Sequence, residues 1–283
     1  NLSQTQHGAR RRIRMNEPGF RIRRLSGLGV EIVEADSDRS FARHIHEQFG
    51  IGQILQGAQR SASGRGQVQA QAGDLISLNP GEVHDGAPLG GNARRWRMLY
   101  FEPERIAQAF ADMASDGGPT PSELAYPVLR KRQASHAFAA LYRAIAQPDM
   151  PAAQLAGEQT LPVLLAHLRE QRPGKPLAAG NGASRAKTLI DDDPMAPLTL
   201  SLLAEQAQLS RFQLVRAFSR LTGLTPHAYL LQRRLLKARQ LVAAGLPLAE
   251  AAATAGFADQ SHMSRHFVRC FGFTPGLYAR PGR

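Results

Sequence analysis

The sequence predicts an α+β protein of two domains: an N-terminal antiparallel β-barrel with appended helices, then an all-helical domain. Three observations carry this. Short strand-like runs, broken by Gly and Pro, fill the first hundred residues. Helical periodicity takes over after Pro103. A helix-turn-helix pattern then occurs twice in the last hundred residues. The 283 residues suffice for two hydrophobic cores, and a hydrophobic content of 43% excludes a compositionally disordered chain.

Residues 1–19 are polar and Arg-rich and are expected to form a loose arm. The barrel is expected from Phe20 to Phe101, with strands in Val30-Glu-Ile-Val-Glu, Ile51-Gly-Gln-Ile-Leu-Gln-Gly, Leu75-Ile-Ser-Leu and Trp96-Arg-Met-Leu-Tyr-Phe101. Residues 64–74 read as a hairpin with a polar face. Apolar residues then recur at helical spacing over 104–113, 135–146 and 152–170, with Pro162 predicted to kink or split the last helix. The Leu141/Ile145 and Leu161/Leu164/Leu165/Leu168 stripes are expected to form core, with a share in a homodimer contact. These helices complete a first domain over 20–170. Residues 171–184 are dense in Gly and Pro and read as a linker, and 185–283 as the helical domain.

The formal charge of +12 is unevenly spread. Residues 1–24 carry +6, residues 25–183 carry −1 and residues 184–283 carry +7. A near-neutral body attached to a basic domain points to a polyanion as partner of the C-terminal part. The single cysteine, Cys270, excludes an internal disulfide and fits a reducing cytoplasm. No apolar run approaches the ~18 residues of a membrane span, and no apolar segment follows the basic N-terminus as a secretory signal requires.

In the helical domain, Leu200 to Pro226 and Leu246 to Pro275 are two copies of one unit. Each has an Ala-containing helix, a tight turn, and a second helix that ends in Thr222-Gly-Leu-Thr-Pro226 or Phe271-Gly-Phe-Thr-Pro275. Ser210 and Asp259 are placed to cap the second helices. Met263, Phe267 and Phe271 give the later of these helices one apolar face and leave a polar, basic face suited to the DNA major groove. The helix expected between the units, from Pro226 to about Ala244, would be about 27 Å long, which can set two reading helices in successive groove turns. Arg233, Arg234, Lys237 and Arg239 are expected on its solvated face, some of them toward phosphate.

Gly256-Phe-Ala-Asp-Gln-Ser-His-Met-Ser-Arg-His-Phe and Phe271-Gly-Phe-Thr-Pro-Gly-Leu-Tyr278 resemble the signature of the AraC/XylS-type DNA-binding domain of bacterial transcription regulators. The resemblance implies base contacts from Arg211, Phe212, Gln213, Val215 and Arg216 in the first unit. In the second it implies Gln260, Ser261, Ser264 and Arg265. Val215 departs from the pattern, since an apolar side chain touches a thymine methyl but makes no bidentate hydrogen bond.

Arg43-His-Ile-His46, Gly73-Asp-Leu-Ile-Ser-Leu-Asn-Pro-Gly-Glu-Val-His84 and Trp96-Arg-Met-Leu-Tyr100 resemble the cupin-like sensor domain common in that family. Metal-binding cupins add a Glu shortly after the His-x-His pair, where Gly50 and Ile51 stand here. No metal and no cofactor are therefore expected. His44, His46, Glu47, His84, Trp96 and Tyr100 are expected instead to line a small-molecule effector pocket. The implied function is an effector-controlled regulator of transcription, not an enzyme. It would act in the cytoplasm on double-stranded DNA as a homodimer, with RNA polymerase as a further candidate partner and no membrane association. The alternative is a metal-dependent cupin enzyme with a helical appendage, and the missing Glu argues against it.

Overall fold

The computed structural model describes residues 19–63, 66–113, 123–146, 151–169 and 181–280. The expected Arg-rich arm lies almost wholly outside these residues, as does most of the expected linker. The N-terminal domain holds two antiparallel sheets. One contains β1 (Gly19–Leu25), β2 (Val30–Ser37), β4 (Phe49–Gln56), β7 (Leu75–Leu78), β9 (Arg94–Phe101) and β10 (Val128–Leu129), in the order β1-β2-β9-β4-β7-β10. The other has the order β3-β8-β5-β6, from β3 (Phe41–His44), β5 (Ala58–Ser63), β6 (Gly66–Gln71) and β8 (His84–Pro88).

Strand alternation sends the two faces of the larger sheet to different cores. Along β9, Trp96 and Met98 point into the barrel, while Leu99 and Phe101 point outward. The outward face is covered by α1 (Pro103–Met113), α2 (Arg132–Ala146) and α3 (Pro151–Leu168). Both faces of β2 are therefore covered, and its burial does not alternate as its sequence does. Leu141, Ile145, Leu161, Leu164, Leu165 and Leu168 are all buried within the chain, so these stripes are intramolecular core. Pro162 does not split α3.

The C-terminal domain consists of α4 (Asn181–Asp192), α5 (Leu200–Gln206), α6 (Arg211–Thr222), α7 (Pro226–Ala243), α8 (Leu248–Thr254), α9 (Gln260–Phe271) and α10 (Pro275–Ala279). Side-chain caps place five of the helix starts. Thr199, Ser210, Thr225, Asp259 and Thr274 each accept a hydrogen bond from the backbone N–H three residues on. Gly223 and Gly272 end α6 and α9 in the left-handed conformation. α4 starts inside the expected linker. Gly182 belongs to it because a Cβ there would meet the carbonyl oxygen of Ala207 at 2.4 Å, so this glycine permits close packing rather than flexibility.

The two domains share a core. Ile45, in the barrel's β3–β4 loop, is fully buried among the apolar residues of the helical domain, and Phe20, Ile22 and Val83 pack against the same cluster.

Candidate nucleic-acid interface and effector cavity

The two helix-turn-helix units are α5–α6 and α8–α9, joined by α7. Leu214 and Phe218 anchor α6, and Met263, Phe267, Cys270 and Phe271 anchor α9. The opposite faces carry the residues expected to read DNA. Arg211, Phe212, Gln213, Arg216, Gln260, Ser261 and Arg265 are exposed, and Val215 and Ser264 are half-buried. Phe212 is 68% exposed, and the Arg216 guanidinium lies 5.5 Å from its ring centroid. Gln213 has a local task besides. Its Oε1 accepts from the Ser210 N–H at 2.9 Å while its own N–H donates to Ser210 Oγ at 3.2 Å, a reciprocal capping box.

The basic side chains of α7 depart from the expected solvated row. Only Lys237 is exposed. Arg234 donates to the carbonyls of Pro194 and Gly256. Arg233 reaches Asp191 at 3.1 Å and Glu47 at 3.5 Å. Arg239 is buried and pairs with Glu31 of β2, whose other oxygen accepts from Tyr278 Oη at 2.9 Å. Burial alone would pull the Arg239 guanidinium down, but Glu31, Tyr278 and Tyr100 outweigh it and hold it above the ordinary arginine range. A spacing of three or four residues puts Arg239 on the stripe of Leu235, Leu236 and Val242, and that stripe is the signal that could have identified it.

The Arg239–Glu31 and Arg233–Glu47 pairs belong to a seat between the barrel and the helical domain. Gln240 donates to Glu47 at 2.6 Å, and Arg43 donates to the Gly223 carbonyl at 3.1 Å. Phe20 meets Phe273 with centroids 5.6 Å apart. A Cβ on Gly272 would fall 2.5 Å from Phe41 and 2.6 Å from Phe20, so the α9 terminus lies directly on the barrel's aromatic rim. Arg39, Ser40 and Phe41 of the barrel flank a groove shared with Ser264, Arg265, Val268 and Arg269 of α9.

Inside the seat is a cavity walled by both domains. The barrel contributes Phe20, Phe41, Trp96, Met98 and Tyr100, and the helical domain contributes Arg239, Cys270, Phe271 and Phe273. Of the residues expected to line a pocket, His44, His46, His84, Trp96 and Tyr100 do so. Glu47 does not, because its carboxylate is turned to Arg233 and Gln240. Arg94, which no sequence motif singles out, shares the strand parity of Trp96 and Tyr100. It stacks over Trp96 at 4.7 Å and Phe41 at 5.3 Å. Its hydrogen bonds go to the Arg39 carbonyl, the Ser37 carbonyl and Gln59 Oε1. Burial lowers it to about 10, so it stays cationic at neutral pH, and among the described residues it has no carboxylate partner.

His44, His46 and His84 gather at one part of this wall. Their centroids are 4.3 to 5.2 Å apart, and His46 stacks on Tyr100 at 4.9 Å. Burial holds all three below the ordinary histidine range, helped at His44 by His84 and at His46 by both neighbours, so they are neutral bases at pH 7.

The fold and these two sites define a two-domain regulator, in which a ligand-binding barrel is docked onto a double helix-turn-helix head. Residues 27–165 match an AraC-like ligand binding domain and residues 203–281 match a helix-turn-helix domain. The HTH-type transcriptional regulator YbfI of Bacillus subtilis (strain 168) is 25% identical over 233 residues, 80% of this chain and 82% of that one. The HTH-type transcriptional activator RhaS of Escherichia coli (strain SE11) is 36% identical over 99 residues, 34% of this chain and 36% of that one. Among solved structures, ToxT from Vibrio cholerae O395 superposes with a TM-score of 0.58 at 9% identity, covering 88% of this chain and 96% of that one, which shows a shared fold. The chain belongs to the AraC family of transcription regulators, with an N-terminal ligand-binding domain and a C-terminal DNA-binding domain. Its role is that of a transcription regulator, the role for which these relatives are named.

Proposed function

We propose that an apolar carboxylic acid occupies the cavity and, by altering the seat between the domains, switches sequence-specific DNA binding. One observation carries this reading: the cavity wall contains α7 and α9 as well as the barrel, so whatever fills it touches the DNA-reading head directly. A ligand changes an equilibrium only through differential contacts with its two states, and here those contacts are Arg239, Phe271 and Phe273. The chemistry of the wall selects the ligand. Phe20, Phe41, Trp96 and Met98 accept an apolar body, and Arg94 is a buried cation without a carboxylate of its own. Solved structures of ToxT hold an unsaturated fatty acid and (E)-4-(8-methylnaphthalen-1-yl)but-3-enoic acid, both of this class.

The DNA contacts in this reading are the exposed faces of α6 and α9, Arg211, Phe212, Val215 and Arg216 with Gln260, Ser261, Ser264 and Arg265, with Gln213 contributing only its amide N–H. A second copy of the chain and RNA polymerase are further partners of the reading, acting in the cytoplasm. Sedimentation of the purified protein tests the former.

Trp96 is the single tryptophan and lies in the cavity wall, so its fluorescence reports occupancy. Small apolar acids such as benzoate and hexanoate are expected to change it, their methyl esters to bind at least about tenfold more weakly, and Arg94→Gln to remove that preference. Equal binding of acid and ester by the native protein would exclude the carboxylate assignment.

A further inference from the structure

We infer that His44, His46 and His84 form a divalent transition-metal site, with Zn2+ as the reference ion, at the cavity wall under α9. This reverses the expectation from sequence, which rejected a metal for want of a Glu after the His-x-His pair. One ligand atom from each residue lies within 4.8 Å of the other two, and all three side chains are buried. Tetrahedral Zn2+ with nitrogen at 2.0–2.1 Å needs nitrogens about 3.4 Å apart, which small rotations of the rings would supply.

The backbone arranges this convergence. His44 and His84 are paired residues across β3 and β8, and His46 follows two residues later. The ring orientations are set as metal ligands require. His44 Nδ1 is 2.7 Å from the Ala42 carbonyl oxygen and His84 Nδ1 is 3.2 Å from that of Glu82. If Nδ1 donates in each, Nε2 keeps its lone pair, the usual outer support of a metal-bound histidine. His46 Nδ1 is buried without a hydrogen-bond partner. A buried imidazole nitrogen without a partner, beside two further imidazoles within 4.8 Å, is the kind of unsatisfied base that a metal ion would complete.

Three imidazoles suit Zn2+ and its neighbours rather than Ca2+ or Mg2+. The acids around the trio are engaged elsewhere: Glu31 by Arg239 and Tyr278, Glu82 by Asn79, and Asp85 by the Ala62 N–H and Arg43, so the ligand set is three imidazoles with a fourth position left for water or an anionic ligand group. The rings of His44 and His46 lie 6.1 and 5.8 Å from Phe271, which puts the ion against the end of a DNA-reading helix. The site does not depend on what else enters the cavity.

A rival site must be separated from it. His262 and His266 on α9 are 4.9 Å apart and are also able to take up zinc. The test uses the full-length protein, stripped with a chelator and titrated with Zn2+ against a chromophoric competitor. One tight equivalent per chain is expected. His84→Gln should weaken it by about 100-fold or more, and the His262→Ala/His266→Ala double variant should leave it unchanged. X-ray absorption of the native protein at one equivalent should count three imidazole nitrogens at about 2.0–2.1 Å, a readout that holds even if His84→Gln does not fold. Fewer than three imidazoles, no tight equivalent, or loss of binding in the α9 double variant alone would overturn the site.

Discussion

Arg265 is exposed on α9 and has no hydrogen-bond or ion-pair partner among the described residues, so its guanidinium is free to meet a base or a phosphate. The two roles have different signatures. If it reads guanine, Arg265→Ala costs about 1–3 kcal/mol of discrimination at one base position, measured by competition between operator variants. If it clamps phosphate, binding weakens equally on all sequences and the salt dependence becomes shallower by about one ion. Gln213 illustrates the opposite case. Its Oε1 is held in the capping box and only its Nε2–H group is left to meet DNA, so Gln213→Ala is expected to lower stability by about 0.5–1.5 kcal/mol in a denaturant titration and to shift base preference less than Arg265→Ala does. Both residues occupy the exposed face the repeat pointed to, but only the three-dimensional structure distinguishes a free side chain from one already engaged.

Among the elements, the helix-turn-helix units were the most legible in the sequence. Capping residues, the Gly223 and Gly272 terminators and the four-residue spacing of Met263, Phe267 and Phe271 are local signals, and local physics fixes them. The pairing of β3 with β8, the short β10 and the burial of Arg239 depend on contacts between residues far apart in the chain, and periodicity alone does not contain that information. Arg239 was misplaced for that reason: as one of four cations on α7 it resembled a solvated row, while its partner Glu31 is 208 residues away. Part of the cavity was nonetheless readable. Alternation on β9 predicts that Trp96 and Tyr100 share a face, and the same rule carries Arg94 with them. The junction of α9 with the barrel rim offers a prediction at this scale. Gly272 has φ +84° and no room for a Cβ beside Phe20 and Phe41. Gly272→Ala should cost at least about 1–3 kcal/mol in thermal or denaturant unfolding, and an unchanged midpoint would mean the seat is looser than described.

At the scale of the whole molecule, the charge division found in the sequence corresponds to a division of labour. The basic helical domain faces DNA, and the nearly neutral barrel holds it through Glu31–Arg239, Glu47–Arg233 and the aromatic rim. Since the cavity lies within that seat, ligand and DNA are coupled by one set of contacts, and the coupling must be reciprocal. The most direct test is the affinity of the full-length protein for its own upstream DNA, measured at fixed salt with and without a carboxylate shown by Trp96 fluorescence to fill the cavity. A change of about 5–150-fold in the native protein, abolished in Arg94→Gln, is the expected result. A carboxylate that saturates the Trp96 signal and leaves DNA affinity unaltered would contradict it.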